Sequence, residues 1–98
     1  MNIYEIAKPR EDNESFVTLH ETPTLKIEAI RSRLTHPGEL YDQEEDEWVL
    51  LIRGTAELEV EGNIRRLKEG DCFFLQRHTR HRVLKTSDDA LWIGIFSS

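Results

Sequence analysis

Glu47-Trp48-Val49-Leu50-Leu51-Ile52-Arg53-Gly54 is the stretch that decides the fold, an acid leading into an apolar run that stops at a glycine. The run Trp48–Ile52 is too short for a helix that buries itself, and it is rich in residues that suit a pleated surface. It therefore predicts a strand buried on both faces. Glu47 opens that strand and brings a carboxylate to the point where the strand enters the core.

The segments around this strand also have the pattern of strands. Residues 25–29 place apolar side chains on one parity and charged ones on the other, which predicts a half-buried strand, and residues 55–61 alternate as clearly. Turn residues recur throughout the chain, and no segment has a convincing helical period. The pattern predicts an antiparallel sandwich or closed barrel.

The chain has 98 residues, a length that predicts one domain. A core of that size buries little more apolar surface than its stability needs. Proline and a charged patch interrupt any period before residue 25. We therefore expect an N-terminal arm with edge strands over residues 1–24, and the barrel itself over residues 25–96.

Composition argues against several kinds of partner. A net charge of −6 is unfavourable for binding a phosphate backbone, so we expect no nucleic acid partner. No apolar run is long enough to span a membrane, and Met1–Glu5 lacks the basic start of a secretory signal. The single cysteine, Cys72, agrees with a reducing compartment. These features predict a cytoplasmic protein with no membrane partner.

Two runs, Trp48–Ile52 and Leu91–Phe96, are apolar on both parities, although a small barrel has only one inside. Something must cover their outer faces. A second copy of the chain would do so, which predicts a homodimer with Trp48 or Trp92 near its interface. The alternative is that N-terminal residues wrap over those faces.

The order of these features resembles the cupin superfamily. In its first motif a glutamate is followed by six residues and a glycine, as in Glu47 to Gly54, and its second runs from a glycine to a histidine, as in Gly70 to His81. The resemblance covers residues from about His36 to Val83. It implies an all-β fold, a cupin-type antiparallel jelly-roll barrel, with a pocket inside that barrel.

The resemblance also implies a metal, held in metal-binding cupins by two histidines before the glutamate, by the glutamate and by the second histidine. Here the two earlier positions fall on Tyr41 and Gln43 or, with a longer spacer, on Leu40 and Asp42. The remaining set predicts an oxygen-rich site for one divalent metal (Zn, Mn or Fe) with Gln43, Glu47 and His81 as ligands.

Glu47 and His81 have a second role under the same resemblance, as catalytic groups that face each other across the pocket and move a proton. The plainer interpretation makes His81 a strand-start histidine that a neighbouring residue satisfies. Polar residues flanking the two motifs are candidates to bind the ligand: Tyr41, Asp42, Arg77 and Arg80.

Three functions remain open at this point, because the cupin architecture hosts many activities. The first is a pocket that binds a small polar metabolite with help from a metal at Glu47 and His81. The second is a metal-free isomerase or epimerase that uses these two residues as acid and base. The third is a non-catalytic sensor of a small ligand. The residues do not decide whether the protein is an enzyme.

Overall fold

The computed structural model describes residues 1–98 and contains eight strands, one short 3-10 turn and no α-helix. None of its helical segments is long and apolar enough to cross a membrane. The strands in chain order are β1 (Asn13–Thr22), β2 (Leu25–Arg33), β3 (Asp46–Arg53), β4 (Ala56–Val60), β5 (Asn63–Leu67), β6 (Cys72–Leu75), β7 (His81–Thr86) and β8 (Ala90–Ser97).

The strands form two antiparallel sheets that pack face to face. The larger sheet has the order β1-β2-β8-β3-β6, and the smaller has the order β5-β4-β7. Apolar side chains from both sheets, among them Leu51, Leu58 and Trp92, form one core between them. The predicted all-β, antiparallel, jelly-roll-like fold is confirmed. The two sheets do not close into a continuous hydrogen-bonded barrel, so the closed form of the prediction is not realised.

β3 is the predicted strand, but its two faces differ. Val49 and Leu51 are buried in the core, whereas Trp48 is 50% exposed on the outer face. Burial on both faces was the wrong expectation at Trp48. An apolar run shows that both faces of a strand are apolar. It does not show whether another element covers the second face.

The N-terminal residues cover only part of that outer face. Ile3–Glu5 forms the 3-10 turn, and the ring of Tyr4 lies 4.5 Å from the guanidinium of Arg53 at the end of β3. β1 then forms one edge of the larger sheet by pairing with β2. The arm therefore reaches the Arg53 end of β3 and leaves Trp48 at the other end uncovered.

Candidate functional site

A cavity of about 340 Å³ lies between the two sheets. Its walls come from strands of both sheets and from the segment before β3, which contributes Tyr41, Gln43 and Glu45. Glu47 and His81 both line it. Of the seven candidate site residues, the structure brings Tyr41, Gln43, Glu47 and His81 together around this cavity.

Glu47 and His81 approach each other across the gap between the sheets. Glu47 lies at the start of β3 in the larger sheet, and His81 opens β7 in the smaller one. Nε2 of His81 is 3.6 Å from Oε1 of Glu47, and the two residues are only 7% and 5% exposed. Two buried polar groups therefore face one another at a distance slightly too long for a hydrogen bond.

Backbone contacts fix the orientation of the His81 ring. Its Nδ1 lies 2.8 Å from the carbonyl oxygen of Thr79, and because a carbonyl only accepts, Nδ1 carries the hydrogen. In the neutral ring, Nε2 then has a free lone pair directed at Glu47. Tyr41 exchanges two backbone hydrogen bonds with His81, and their rings stack with centroids 5.7 Å apart.

The environment of Glu47 favours its protonated form. Burial, followed by the negative charges of Glu28, Glu45 and Glu14, raises the pKa of Glu47 to about 8. Burial also raises the pKa of the Tyr41 phenol. Glu47 therefore retains its proton at neutral pH and presents a carboxylic acid to the cavity.

A glycine makes room for the Glu47 carboxyl group. Gly94 faces the cavity side of β8, and a Cβ at this position would lie 3.3 Å from Oε2 of Glu47 and 3.0 Å from Cε2 of Phe96. Both distances are tighter than ordinary van der Waals contact. The small residue at position 94 is thus part of what positions the acid.

Four charged residues of the cavity were not among the sequence candidates: Glu14, Lys26, Glu28 and Glu45. Glu14 accepts a hydrogen bond of 2.5 Å from the Ser32 hydroxyl, and burial raises the pKa of Glu14. Alternation in residues 25–29 was the one sequence signal for two of them, because it placed Lys26 and Glu28 on a common face.

Asp42, Arg77 and Arg80 do not line the cavity. Asp42 contacts Nδ1 of the exposed His78 at 2.9 Å, and the Arg77 backbone N–H donates to Asp46 at 2.8 Å. The backbone N–H of Arg80 donates to a carboxylate of the β4–β5 turn. These contacts tie the loop before β7 to Asp42, to the first residue of β3 and to that turn.

Few side chains near Glu47 and His81 are suitable ligands for the expected metal. No three His, Cys, Asp or Glu side chains lie close enough together to hold an ion. Glu47 and His81 would need completion by the amide of Gln43, whereas a catalytic zinc normally has three strong protein ligands. The residues present do not fit a preformed catalytic metal centre.

Comparison with known proteins identifies related chains. Residues 33–96 match the family model described as the Cupin domain. An uncharacterised protein of Aquifex aeolicus is 30% identical over 102 residues, which cover 98% of this chain and 81% of that protein.

Two solved structures are similar over nearly the whole chain. One, from Ralstonia eutropha, is named a "putative mannose-6-phosphate isomerase"; it has a TM-score of 0.86 and 31% identity, covering 100% of this chain and 96% of its own. The other is KdgF from Halomonas sp., with a TM-score of 0.83 and 28% identity, covering 99% of this chain and 89% of its own. Both share the two-sheet fold.

Proposed function

This chain belongs to the cupin family, and from that premise we propose that its cavity binds a small polar metabolite on which Glu47 and His81 act as an acid–base pair. One observation carries the proposal: two buried ionisable side chains from different sheets face each other 3.6 Å apart in the wall of the cavity. Buried ionisable groups that meet in a cavity are typical of sites that transfer protons.

Proton transfer to and from a substrate requires one group that accepts a proton and one that donates it, and the two residues differ in this respect. The lone pair on Nε2 of His81 accepts a proton from a carbon next to a carbonyl group. Glu47, which burial keeps protonated, donates its own proton to the carbonyl oxygen. When that carbon bears a hydroxyl group, the product is an enediol. His81 then gives its proton to the former carbonyl carbon while the Glu47 carboxylate takes the proton of the neighbouring hydroxyl group, which restores both side chains and completes an isomerisation without any change of oxidation state overall.

The similar Ralstonia structure supports a reaction of this class. Its name is that of an isomerase of a phosphorylated sugar, and the likeness to this chain extends over both full lengths at 31% identity. Isomerisation of a sugar is a proton transfer between a carbonyl carbon and its neighbour. The name supports the type of reaction proposed here and leaves the substrate of this chain to the chemistry of its own cavity.

The proposed reaction needs no metal. Cupins commonly bind divalent metals, but a proton can move between two side chains and a substrate without one. The donors around Glu47 and His81 lack a third strong ligand. The metal-free form is therefore the one that the side chains support.

Deuterium exchange tests the proposal directly. The protein is incubated in D₂O with a panel of small hydroxycarbonyl compounds, including aldoses and amino sugars, and proton NMR follows deuterium entering the carbon next to the carbonyl. We expect exchange with at least one compound, and its loss in both His81→Ala and Glu47→Gln. His20→Ala, at an exposed histidine of β1, is the matched control.

The outcomes separate the candidate functions. Exchange that survives in His81→Ala would overturn the proposed roles. A compound that binds in the cavity without any exchange would favour the non-catalytic sensor instead. Both results are read against the His20→Ala control, which should behave as the unaltered protein does.

The exposed outer face of β3 is the proposed interface between two copies of the chain. Trp48 and Phe74 are both about half exposed, their rings are 5.1 Å apart, and strand pairing puts Leu50, Ile93 and Ile95 on the same face. All five residues are uncharged, so two identical copies can meet there across a two-fold axis without charge repulsion. A homodimer that buries Trp48 is the assembly that this face supports.

A further inference from the structure

We propose that the ligand of the cavity is a small organic cation, bound through its ammonium group. This inference rests on the proposed function, because it names the chemical class of the molecule on which Glu47 and His81 act. It depends on the charges and rings that line the cavity. Four of the 16 lining residues are glutamates and four are aromatic: Glu14, Glu28, Glu45, Glu47, Phe16, Tyr41, Trp92 and Phe96.

Glutamates other than the protonated Glu47 make the cavity wall negative: Glu14, Glu28 and Glu45. Lys26 is the one lysine or arginine that lines it, and its Nζ is already 3.6 Å from Oε2 of Glu28. No free lysine or arginine remains inside to neutralise a phosphate or carboxylate on a ligand, and Nε2 of the one lining histidine, His81, faces Glu47. Arg77, a candidate for that task, contacts Asp46 outside the cavity. An anionic ligand would therefore enter among several carboxylates without a partner for its own charge.

Aromatic rings add a second attraction for a cation. The face of an aromatic ring attracts an ammonium group, and the attraction grows when water is excluded. Lys26 shows such an arrangement inside the protein, because its Nζ lies 5.2 Å from the centre of the Phe96 ring while it also pairs with Glu28. A ligand ammonium between the remaining carboxylates and rings would find the same surroundings.

Two of the lining glutamates lie close together in the floor of the cavity. Glu28 on β2 is directly opposite Gly94 on β8, which in turn is opposite Val49 on β3, two residues from Glu47. The side chains of Glu28 and Glu47 therefore extend from the strands on either side of Gly94, which has no side chain. Glu47 is 5% exposed and makes no hydrogen bond within the protein, so the carbonyl oxygen of its protonated carboxyl group is free to accept a hydrogen bond from the ligand.

Three probes of one shape and different charge test the inference. Choline is the cation, 3,3-dimethylbutan-1-ol is its uncharged isostere, and 3,3-dimethylbutanoate is the anion. Binding is followed through the fluorescence of Trp92, which lines the cavity, in a Trp48→Phe background that removes the exposed indole. We expect choline to bind at least about tenfold more tightly than the alcohol, and the anion to bind more weakly than either.

A matched pair of variants locates the effect in the cavity. Glu28→Gln removes one lining carboxylate and should reduce the preference for choline over the alcohol. Glu57→Gln changes the net charge by the same amount on the outer side of β4, where Glu57 pairs with Arg66, and should leave the preference unchanged. Equal loss in both variants would mean that overall charge, and not the cavity, selects the cation.

Two further results would overturn the inference. Choline and the alcohol binding with equal affinity, or the anion binding best, would show a cavity for small molecules without selection for a cation, and the proposed function would survive. Failure of all three probes to change Trp92 fluorescence at tens of millimolar would also overturn it. The deuterium exchange experiment then decides the proposed function on its own.

Discussion

Glu47 and His81 lie 3.6 Å apart although they belong to different sheets. β3 supplies the acid and β7 supplies the imidazole, so the pair exists only when the two sheets pack face to face. The packing that buries Leu51 and Leu58 between the sheets also removes these two polar groups from water. Fold stability and site chemistry are therefore linked at this contact.

The first prediction concerns the pH dependence of stability. Glu47 has its pKa raised from 4.5 to about 8 in the folded protein. Between pH 4.5 and about 8 the folded state thus holds a proton that the unfolded state has lost. The contribution of Glu47 to stability therefore falls as the pH rises through this range. In Glu47→Gln this loss disappears. Above pH 8 the variant should be more stable than the unaltered protein, by on the order of a few kcal/mol.

Urea unfolding between about pH 5 and pH 9 measures this difference. Glu57→Gln, on the outer side of the smaller sheet, is the control and should keep the slope of the unaltered protein. A Glu47→Gln variant whose free energy of unfolding follows the same pH curve as the unaltered protein would be inconsistent with a raised pKa at Glu47.

The second prediction concerns Gly94. In Gly94→Ala the new methyl group presses on Phe96 and on the Glu47 carboxyl group. We expect a loss of about 1–2 kcal/mol in the free energy of unfolding from overpacking, together with loss of deuterium exchange because the acid is displaced. Gly38→Ala is the control, because its Cβ would also lie 3.3 Å from a neighbour, Leu34, outside the cavity lining. Full exchange in Gly94→Ala would refute the positioning role.

The third prediction concerns assembly. The protein should have the mass of a dimer by light scattering at micromolar concentration, and Trp48→Glu should have that of a monomer, because the change places like charges opposite each other across the two-fold axis. Ile64→Glu, at a residue of β5 with similar exposure (51%), should remain dimeric. A monomer mass for the unaltered protein would contradict the proposal.

The fourth prediction concerns metal content. Protein purified without a metal-affinity column should contain far less than one equivalent of Zn, Mn or Fe, because Glu47 and His81 lack a third strong ligand. Elemental analysis measures this. Near-stoichiometric metal that His81→Ala no longer retains would show instead that Gln43, Glu47 and His81 bind a metal as the family resemblance implies.

Much of the fold could be predicted because its signals are local. The apolar run after Glu47 and the glycine that ends it are enough to predict β3, and alternation in residues 55–61 predicts β4. Two motif residues, Glu47 and His81, locate the point where the sheets approach each other. The resemblance also implied that these two would face each other, as they do. Their roles in chemistry stay proposals.

The rest of the site depends on information that no local pattern holds. Alternation shows that Lys26 and Glu28 share a face, but it does not show whether that face meets water or a polar cavity. Likewise Trp48 and Trp92 both stand in runs that are apolar on both parities, yet Trp92 is 3% exposed in the core and Trp48 lies outside. Only the packing of the second sheet distinguishes them.

Charges in loops were the hardest to interpret from sequence. Asp42 and Arg77 flank the two motifs and have the chemistry of ligand-binding groups. Each contacts a residue near the other motif: Asp42 contacts His78 in the loop before β7, and Arg77 contacts Asp46, the first residue of β3. Residue type and spacing are the same for a pair that closes a loop and for a pair that awaits a ligand, so tertiary structure alone separates the two.

The most direct test of the acid–base pair is an NMR titration that follows the side-chain carboxyl carbon of Glu47 and the ring nitrogens of His81 together. The account predicts a Glu47 transition near pH 8, felt at the His81 ring, with the hydrogen of the neutral ring on Nδ1. A Glu47 transition near its ordinary value of 4.5, independent of His81, or a neutral ring with its hydrogen on Nε2, would contradict it.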